Sequence, residues 1–247
     1  MMANGSDTGT ASARVIRIRD LTFRWEPRSA DVLSLPALDI DRGERLFIEG
    51  PSGSGKSTLL SLLSGICIPQ QGTLEVLGQG LHTMRSVDRD HFRADHIGYV
   101  FQMFNLIPYL SVIENVMLSC RFSKLRTQRA RQQSSGLEAE ALRLLQKLDM
   151  GDDDILHRPV TSLSVGQQQR VAAARALMGS PEIIIADEPT SSLDQDRMQA
   201  FVELLFEECT QAGSTLVFVS HDTSLAPLFD RCLRLAEVNT AHEHGRQ

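Results

Sequence analysis

The pattern of hydrophobic and polar positions predicts a chain in which strands alternate with helices near both ends. The predicted strands are 14–21, 35–40, 45–48, 182–186 and 215–220, and the predicted helices are 57–63, 166–178 and 195–212. Strands that alternate with helices favour a mostly parallel sheet covered on both faces. The sequence therefore predicts an α/β fold.

The middle of the chain has a different pattern. Residues 89–159 show helical periodicity and few strand signals; the leucines and alanine at 137, 141, 144, 145 and 148 recur at helical spacing. The polar, basic stretch 121–133 is expected to be a solvated helix or connection, and the acidic triplet 152–154 a solvated loop. This region predicts a helical part at about 89–165.

Composition limits the classes of protein to consider. The 247 residues are 42% hydrophobic and 23% charged, which suits one large domain or a core with a subdomain. A net charge of −6 gives no support for nucleic-acid binding. The four scattered cysteines form no CxxC pair and indicate a reducing compartment. We expect a flexible tail at 1–13 without a signal peptide, a domain at 14–236 and a polar tail at 237–247, and no apolar run approaches the length of a membrane span.

One motif indicates a phosphate-binding loop. The pattern G-x-x-x-x-G-K-[ST] is matched by Gly50, Pro51, Ser52, Gly53, Ser54, Gly55, Lys56, Ser57 and Thr58. The motif lies between a predicted strand and a predicted helix, where backbone N–H groups can converge on phosphate oxygens. Lys56 is expected to reach the β- and γ-phosphates and Ser57 to ligate Mg²⁺. The motif alone indicates a nucleoside triphosphate site and leaves kinases, GTPases, helicases and transporters open.

A pair of carboxylates follows a strongly apolar strand. The isoleucines at 183–185 suit a strand buried on both faces, and the strand runs into Asp187 and Glu188. Ligands bind at this edge of open α/β sheets. We expect Asp187 to hold magnesium, directly or through water, and Glu188 to accept a proton from an attacking water.

A second anion site is indicated just before this strand. Ser164 and Gln167 have the spacing of a capping box, which predicts the start of a helix. A serine hydroxyl and the amide of Gly166 at a helix N-terminus can also bind an anion. The chain already has one complete phosphate cradle, so a second copy of the chain is the expected source of the triphosphate for this site.

Together these motifs resemble the ATPase cassette of ABC transporters over about 14–236. Residues 163–167 resemble the ABC signature motif, which in the family closes over nucleotide held by the phosphate loop of a partner subunit. The resemblance implies a P-loop core, an N-terminal antiparallel β subdomain, a helical signature subdomain, and γ-phosphate binding by Ser164, Gly166 and Gln167 across a dimer interface. Val165 departs from the family's usual glycine and lacks glycine's freedom at positive φ. Ser164 and Gly166 remain, so function is expected to survive this departure.

The resemblance extends to four further positions. Gln102 resembles the glutamine that contacts Mg²⁺ and water and senses the permease, and residues 192–194 resemble the loop that crosses the dimer interface. His221 follows an apolar strand and resembles the histidine that reaches the γ-phosphate. Trp25 lies where the family commonly stacks an aromatic ring on adenine, with Phe23 as the competing candidate.

Residues 101–108 and 111–116 resemble the lipoprotein-releasing and macrolide-export branch of the family. The resemblance implies ATP and Mg²⁺ as ligands, a homodimer or paired cassette, and a separate integral membrane permease. It also implies that the permease holds this chain at the cytoplasmic face of the plasma membrane. The apolar stretch 103–110 is a candidate groove for a short helix of that permease. A soluble ABC ATPase without a permease, a P-loop kinase or recombinase-type motor, and a pure binding module remain alternatives.

Overall fold

Two β-sheets flanked by helices make up the fold, and the computed structural model describes residues 14–190 and 195–242 of it. The strands are β1 (Arg14–Phe23), β2 (Leu33–Asp41), β3 (Arg45–Glu49), β4 (Gln71–Val76), β5 (Gln79–Gly80), β6 (Ile97–Val100), β7 (Ile183–Asp187), β8 (Thr215–Val219) and β9 (Arg231–Arg234). The helices are α1 (Lys56–Leu63), α2 (Ser86–His96), α3 (Val112–Phe122), α4 (Lys124–Gln133), α5 (Leu137–Lys147), α6 (Asp153–Leu156), α7 (Val165–Leu177), α8 (Gln195–Ala212) and α9 (Leu235–Val238).

The larger sheet is parallel and has the strand order β6-β7-β8-β3-β9. Its central strands β7 and β8 are apolar and buried almost throughout. Such strands need cover on both faces, and separate hydrophobic clusters lie on either side of the sheet. The predicted parallel α/β fold is confirmed, and the carboxyl ends of β3, β6, β7 and β8 all lie at one edge of the sheet.

The smaller sheet is antiparallel, with the order β2-β1-β4-β5, and confirms the antiparallel β subdomain expected from the resemblance. Strands β4 and β5 were not predicted, because β4 exposes its first three residues and β5 has only two. Their apolar signal is therefore too short to show a period of two. The core of this sheet packs with α1 on one face of the parallel sheet.

The region predicted to be helical contains one strand, β6, in addition to helices α2 to α6. Four residues are too few to show a period, so the strand is set by its parallel pairing with β7. Gly98 in β6 has a packing role, because a Cβ there would overlap the carbonyl oxygen of Ala176. Helix α7 thus lies directly against the strand that leads to Gln102.

The basic stretch 121–133 forms helix α4, but it is not solvated throughout as expected. Arg126 is only 3% exposed, and its guanidinium donates to the carbonyl oxygens of Ala176 at 2.6 Å and Met178 at 2.7 Å. Burial lowers the pKa of Arg126 to about 10. A buried arginine at this position binds the carboxyl end of helix α7, where backbone carbonyls lack intrahelical partners. Hydrophobic periodicity cannot reveal such a contact.

One segment expected to be a polar tail is partly buried, and another expected to be a solvated loop is exposed but forms a short helix. Asn239, expected to lie in a polar tail, is buried; its side chain accepts from the Ser34 amide at 2.8 Å and donates to the Val32 carbonyl at 3.0 Å. Asp152, expected in a solvated loop, caps helix α6 through the Asp154 amide at 3.1 Å. In both cases a polar side chain satisfies backbone groups, which a sequence pattern records only as polarity.

Glu182, just before β7, offers a test of how the helical part is held to the sheet. Its carboxylate accepts from Arg129 at 2.6 Å and lies 3.0 Å from the Nδ1 atom of His96. Burial opposes ionisation, but these bonds outweigh it and lower the pKa of Glu182 to about 2. The stabilisation is therefore present above the ordinary value of 4.5 and is lost as pH falls towards 2.

We expect Glu182→Gln to lower the free energy of unfolding at pH 7 by about 1.5–3 kcal/mol, since charge-assisted hydrogen bonds are weakened. The difference from the parent protein should narrow as pH falls from about 4.5 towards 2. Denaturant titrations across this range measure it, with Glu207→Gln on an exposed site of α8 as the matched control. A difference that stays constant over that range would contradict the ion-pair interpretation.

Candidate functional site

The phosphate loop connects β3 to α1 at the open edge of the parallel sheet. Gly53 and Gly55 have φ values of 80° and 98°, a left-handed conformation that glycine adopts without a Cβ penalty. This lets the loop turn sharply and aim amides at the N-terminus of α1, which favours an anion. The Lys56 Nζ atom donates to the carbonyls of Gly50 at 2.6 Å and Pro51 at 3.0 Å. An ammonium group has three donors, so Lys56 can serve these carbonyls and a phosphate oxygen together.

Two further features of the loop fit a bound phosphate. The hydroxyl of Ser54 is buried without a hydrogen-bond partner, which is costly for a polar group unless a ligand satisfies it. A Cβ on Gly50 would come within 2.6 Å of that hydroxyl oxygen, so the loop has no room for a side chain there. Ser57 is exposed at the mouth of the loop and Thr58 is buried behind it.

The acidic pair lies where β7 ends, beside the phosphate loop. Burial and then the neighbouring Glu188 raise the pKa of Asp187, against the opposing effects of the Ser57 hydroxyl and Lys56. A buried carboxylate next to a second carboxylate is stabilised by a cation, and hydroxyl and carboxylate oxygens are the donors that Mg²⁺ prefers. The residues present therefore fit a magnesium ion held jointly with phosphate. Within the described residues, no group of three His, Cys, Asp or Glu forms a separate metal site.

Glu188 is brought to His221 by an unusual backbone conformation. Its φ is 46°, which is uncommon for a residue with a side chain, and its amide donates to the carbonyl of Val219 at 2.9 Å. Its carboxylate oxygen lies 3.2 Å from the Nδ1 atom of His221, which follows the neighbouring strand β8. Glu188 and His221, two of the three side chains predicted to be catalytic along with Gln102, are therefore in contact, although 33 positions separate them.

One cleft of about 500 Å³ collects most of the predicted site residues. It is lined by Trp25, Val32, Ser52, Gly53, Gly55, Lys56, Ser57, Thr58, Gln102, Glu188 and His221. Gln102 reaches the cleft because it follows β6, the strand beside β7. Val32 was missed by the sequence analysis, since a single valine in a loop belongs to no motif.

Trp25 rather than Phe23 presents an aromatic ring at this cleft. Trp25 is 59% exposed, whereas Phe23 is 4% exposed and belongs to the core. The two rings meet edge to face, with centroids 5.1 Å apart. Phe23 therefore packs against the indole from the core side, and the exposed part of the indole remains accessible to a planar ligand.

The signature segment, residues 163–167, lies apart from this cleft. Ser164 and Gln167 form the predicted capping box: Ser164 accepts from the Gln167 amide at 3.3 Å, and the Gln167 side chain accepts from the Ser164 amide at 2.9 Å. With Gly166 they line a separate cavity of about 220 Å³ that shares no residue with the phosphate cleft. Within one copy of the chain, the structure does not bring these three residues to the phosphate loop.

Val165 occupies the signature position where the family usually has glycine. It is the first residue of helix α7 and is 50% exposed. A helical residue has negative φ, so valine is accommodated there without backbone strain. Residues 192–194, predicted to cross a dimer interface, lie outside the described residues.

A parallel sheet with a phosphate loop after β3 and an acidic pair after β7 defines a P-loop nucleoside triphosphatase. The family model for ABC transporters matches residues 33–191, which is more than half of the chain. The chain belongs to this family as an ATP-binding cassette, the ATP-hydrolysing subunit of an ABC transporter. Membership excludes the P-loop kinase and recombinase alternatives. None of the helices in 14–190 and 195–242 has both the length and the apolar character needed to cross a membrane.

Similar proteins span nearly the same length. The uncharacterised ABC transporter ATP-binding protein YbbA of Escherichia coli is 43% identical over 212 residues, covering 86% of this chain and 89% of YbbA. The lipoprotein-releasing system ATP-binding protein LolD of Pseudomonas syringae is 37% identical and covers 90% of this chain and 94% of LolD. The ATP-binding cassette MJ0796, solved as a dimer bound to ADP and Pi, superposes with a TM-score of 0.76 at 32% identity, covering 89% of this chain and 93% of MJ0796.

We expect Trp25→Ala to weaken ATP binding by about 1–3 kcal/mol, the contribution of an aromatic face stacked on a base. Trp25→Phe should retain most of the affinity, because a planar ring remains. Titration with a fluorescent ATP analogue measures both, and Phe122→Ala removes another exposed aromatic ring as a control. If Trp25→Ala binds ATP like the parent, Trp25 is not the stacking residue.

Proposed function

We propose that two copies of this chain bind two ATP molecules between them. In each site the phosphate loop of one copy faces the signature segment of the other. The separation of the two cavities within one chain carries this proposal, because a helix N-terminus with a serine hydroxyl and a glycine amide binds an anion and its own chain supplies none. The dimeric relative MJ0796, bound to the products ADP and Pi, supports it.

The residues of the cleft have complementary roles in hydrolysis. Lys56, Ser52, Thr58 and the loop amides hold the phosphates, which neutralises charge that develops during phosphoryl transfer. Glu188 takes a proton from the attacking water, a role typically worth about 10²- to 10⁴-fold in rate. His221 contacts Glu188 at 3.2 Å and so helps to hold the carboxylate towards the γ-phosphate.

Mg²⁺ is part of the proposed site, held by Ser57 and Asp187 with Gln102 nearby. These side chains provide the oxygen donors that magnesium prefers. When bound, the ion would supply charge neutralisation for the phosphate oxygens and the acidic strand end. Gln102 also begins the segment that leads away from the cleft to the surface, and so it connects the nucleotide to a region where a partner can bind.

The partner proposed for that surface is a separate membrane permease. We define the docking face as residues 103–110, which follow Gln102. Met103 is 81% exposed and Tyr109 is 83% exposed, the two most exposed large hydrophobic side chains among the described residues. An apolar face of this kind suits the short amphipathic helix of a permease. The chain would then lie at the cytoplasmic side of the plasma membrane, attached through the permease.

Within the family we propose the branch that powers lipoprotein release or efflux. The segments 101–108 and 111–116 support it, as does the similarity to LolD over most of both chains. The competing proposal is a soluble ABC ATPase that acts without a permease. The exposed docking face favours the first proposal, because a soluble enzyme has no need of such a surface.

We call the proposed site, made by the phosphate loop of one copy and the signature segment of the other, the composite site. It predicts that Glu188→Gln abolishes ATP turnover and yet leaves a dimer that forms only with ATP. Nucleotide bridging two copies favours the closed state, and without hydrolysis that state persists. Size-exclusion chromatography with light scattering measures the mass. Adding Ser164→Arg should prevent the dimer, because an arginine would fill the space of the facing phosphate. A monomeric Glu188→Gln variant in ATP would count against the proposal.

The docking face predicts that Tyr109→Asp releases the chain from membranes without changing the ATPase rate of the isolated protein. A charge in an apolar contact costs several kcal/mol if it stays unpaired. The measurement is the fraction of chain that sediments with membranes in the organism that encodes it. Val87→Asp, at another exposed apolar side chain on α2, serves as control. Equal sedimentation of the parent and Tyr109→Asp would contradict the docking face, and absence of the parent itself from the membrane fraction would favour the soluble alternative.

A further inference from the structure

Arg175, in the last turn of helix α7, binds two consecutive carbonyls of the docking face. Its Nη1 atom donates to the carbonyl oxygen of Asn105 and its Nη2 atom to that of Phe104, both at 2.6 Å. The side chain is 9% exposed, and burial lowers the pKa of Arg175 to about 10. A planar guanidinium with forked donors can bind two neighbouring oxygens at once, which an ammonium group cannot match.

The two residues that Arg175 holds are in a rare backbone conformation. Phe104 and Asn105 have φ values of 59° and 48°, in the left-handed region. For residues with side chains this conformation persists only where surrounding contacts impose it. The bonds from Arg175 to both carbonyls are contacts of this kind, and they come from a different element of the structure.

Arg175 is itself fixed to its surroundings. Its carbonyl oxygen accepts from the Ser119 hydroxyl of α3 at 2.7 Å and from Arg126 of α4 at 3.4 Å. Ser164 is the N-cap of the same helix. Arg175 and the signature segment therefore lie at opposite ends of one helix, about 16 Å apart at a rise of about 1.5 Å per residue. A displacement at one end of α7 must therefore appear at the other.

The docking face is held from a second side by Asn115. This buried asparagine of α3 accepts from the Ile107 amide at 2.8 Å and donates to the carbonyls of Ile107 and Leu110. The docking face therefore contacts α3 at one end and α7 at the other. The contact with Arg175 joins the docking face directly to α7, the helix that the signature segment begins.

We propose that Arg175 is a positioning residue that ties the docking face to the signature helix. Movement of the docking face, or closure of the signature segment over nucleotide, is carried along α7 from one to the other. The inference rests on the proposed composite site and extends it, because it names the contact through which the nucleotide and a bound partner sense each other.

The test uses amide hydrogen exchange of the full chain in the Glu188→Gln background, with and without ATP. Four amides of the docking face have partners and report its order: those of Phe104, Asn105, Ile107 and Leu110. We expect ATP to slow exchange in both the signature segment and the docking face. With Arg175→Met added, the signature segment should still respond, whereas the docking face should exchange about tenfold faster or more and lose its response to ATP.

Two further variants separate coupling from general damage. Ser119→Ala removes the hydrogen bond from α3 to the backbone carbonyl of Arg175 and leaves the guanidinium in place, so the ATP response of the docking face should remain. Arg175→Lys keeps the charge but not the paired donors, and should lose most of that response even where Arg175→Met fails to fold. Thermal unfolding of each variant checks that the fold is intact.

The outcomes are distinguishable. If ATP protects the signature segment and the docking face in the parent and still protects both in the Arg175 variants, the proposed coupling through Arg175 is overturned and the composite site stands. If ATP fails to protect the signature segment even in the parent background, the composite site and the coupling are both overturned. Loss of the docking-face response alone, with Ser119→Ala unaffected, supports the proposal.

Discussion

The parallel pairing of buried apolar strands is the constraint on which the site depends. Strands β3, β7 and β8 are buried on both faces, so polar and charged side chains can appear only where the strands end. Because the strands are parallel, these ends lie at one edge. The phosphate loop, the acidic pair and His221 come from distant parts of the sequence and meet there for this reason.

Helix α7 links this edge to the rest of the molecule. Its N-terminus presents the signature segment, its flank packs directly on β6 at Gly98, and its carboxyl end is bound by the buried guanidinium of Arg126. Buried arginines that bind carbonyl oxygens are costly to desolvate and are tolerated where they satisfy backbone groups that lack other partners. The helix is therefore held at a fixed position by polar contacts as well as by apolar packing.

Three of the seven residues with side chains and positive φ in the described part of the chain lie at the phosphate cleft or in the segment that leads away from it. Glu188, Phe104 and Asn105 all have positive φ, and each is held by contacts from another element. Such conformations cost on the order of 1–3 kcal/mol each, which the surrounding structure must offset. Their presence at the carboxylate beside His221 and at the docking face fits positions where geometry matters more than stability.

The sequence predicted those features that a contiguous run of residues is long enough to reveal. The phosphate loop, the acidic pair and the capping box at Ser164 are contiguous motifs, so the strands and helices that carry them were predicted correctly. The long apolar strands and the helix α8 were predicted for the same reason. Strands β4, β5, β6 and β9 were missed because a few residues cannot show a period, and pairing with neighbours decides them.

The sequence by itself determined the chemistry that this chain carries and the α/β class of its fold, since both are written in local motifs and hydrophobic periods. Only the tertiary structure decided which residues meet. It placed Trp25 rather than Phe23 at the cleft, buried Arg126 and Asn239, brought Glu188 to His221, and kept the signature segment away from its own phosphate loop. These outcomes depend on contacts between residues far apart in the chain, which no local pattern encodes.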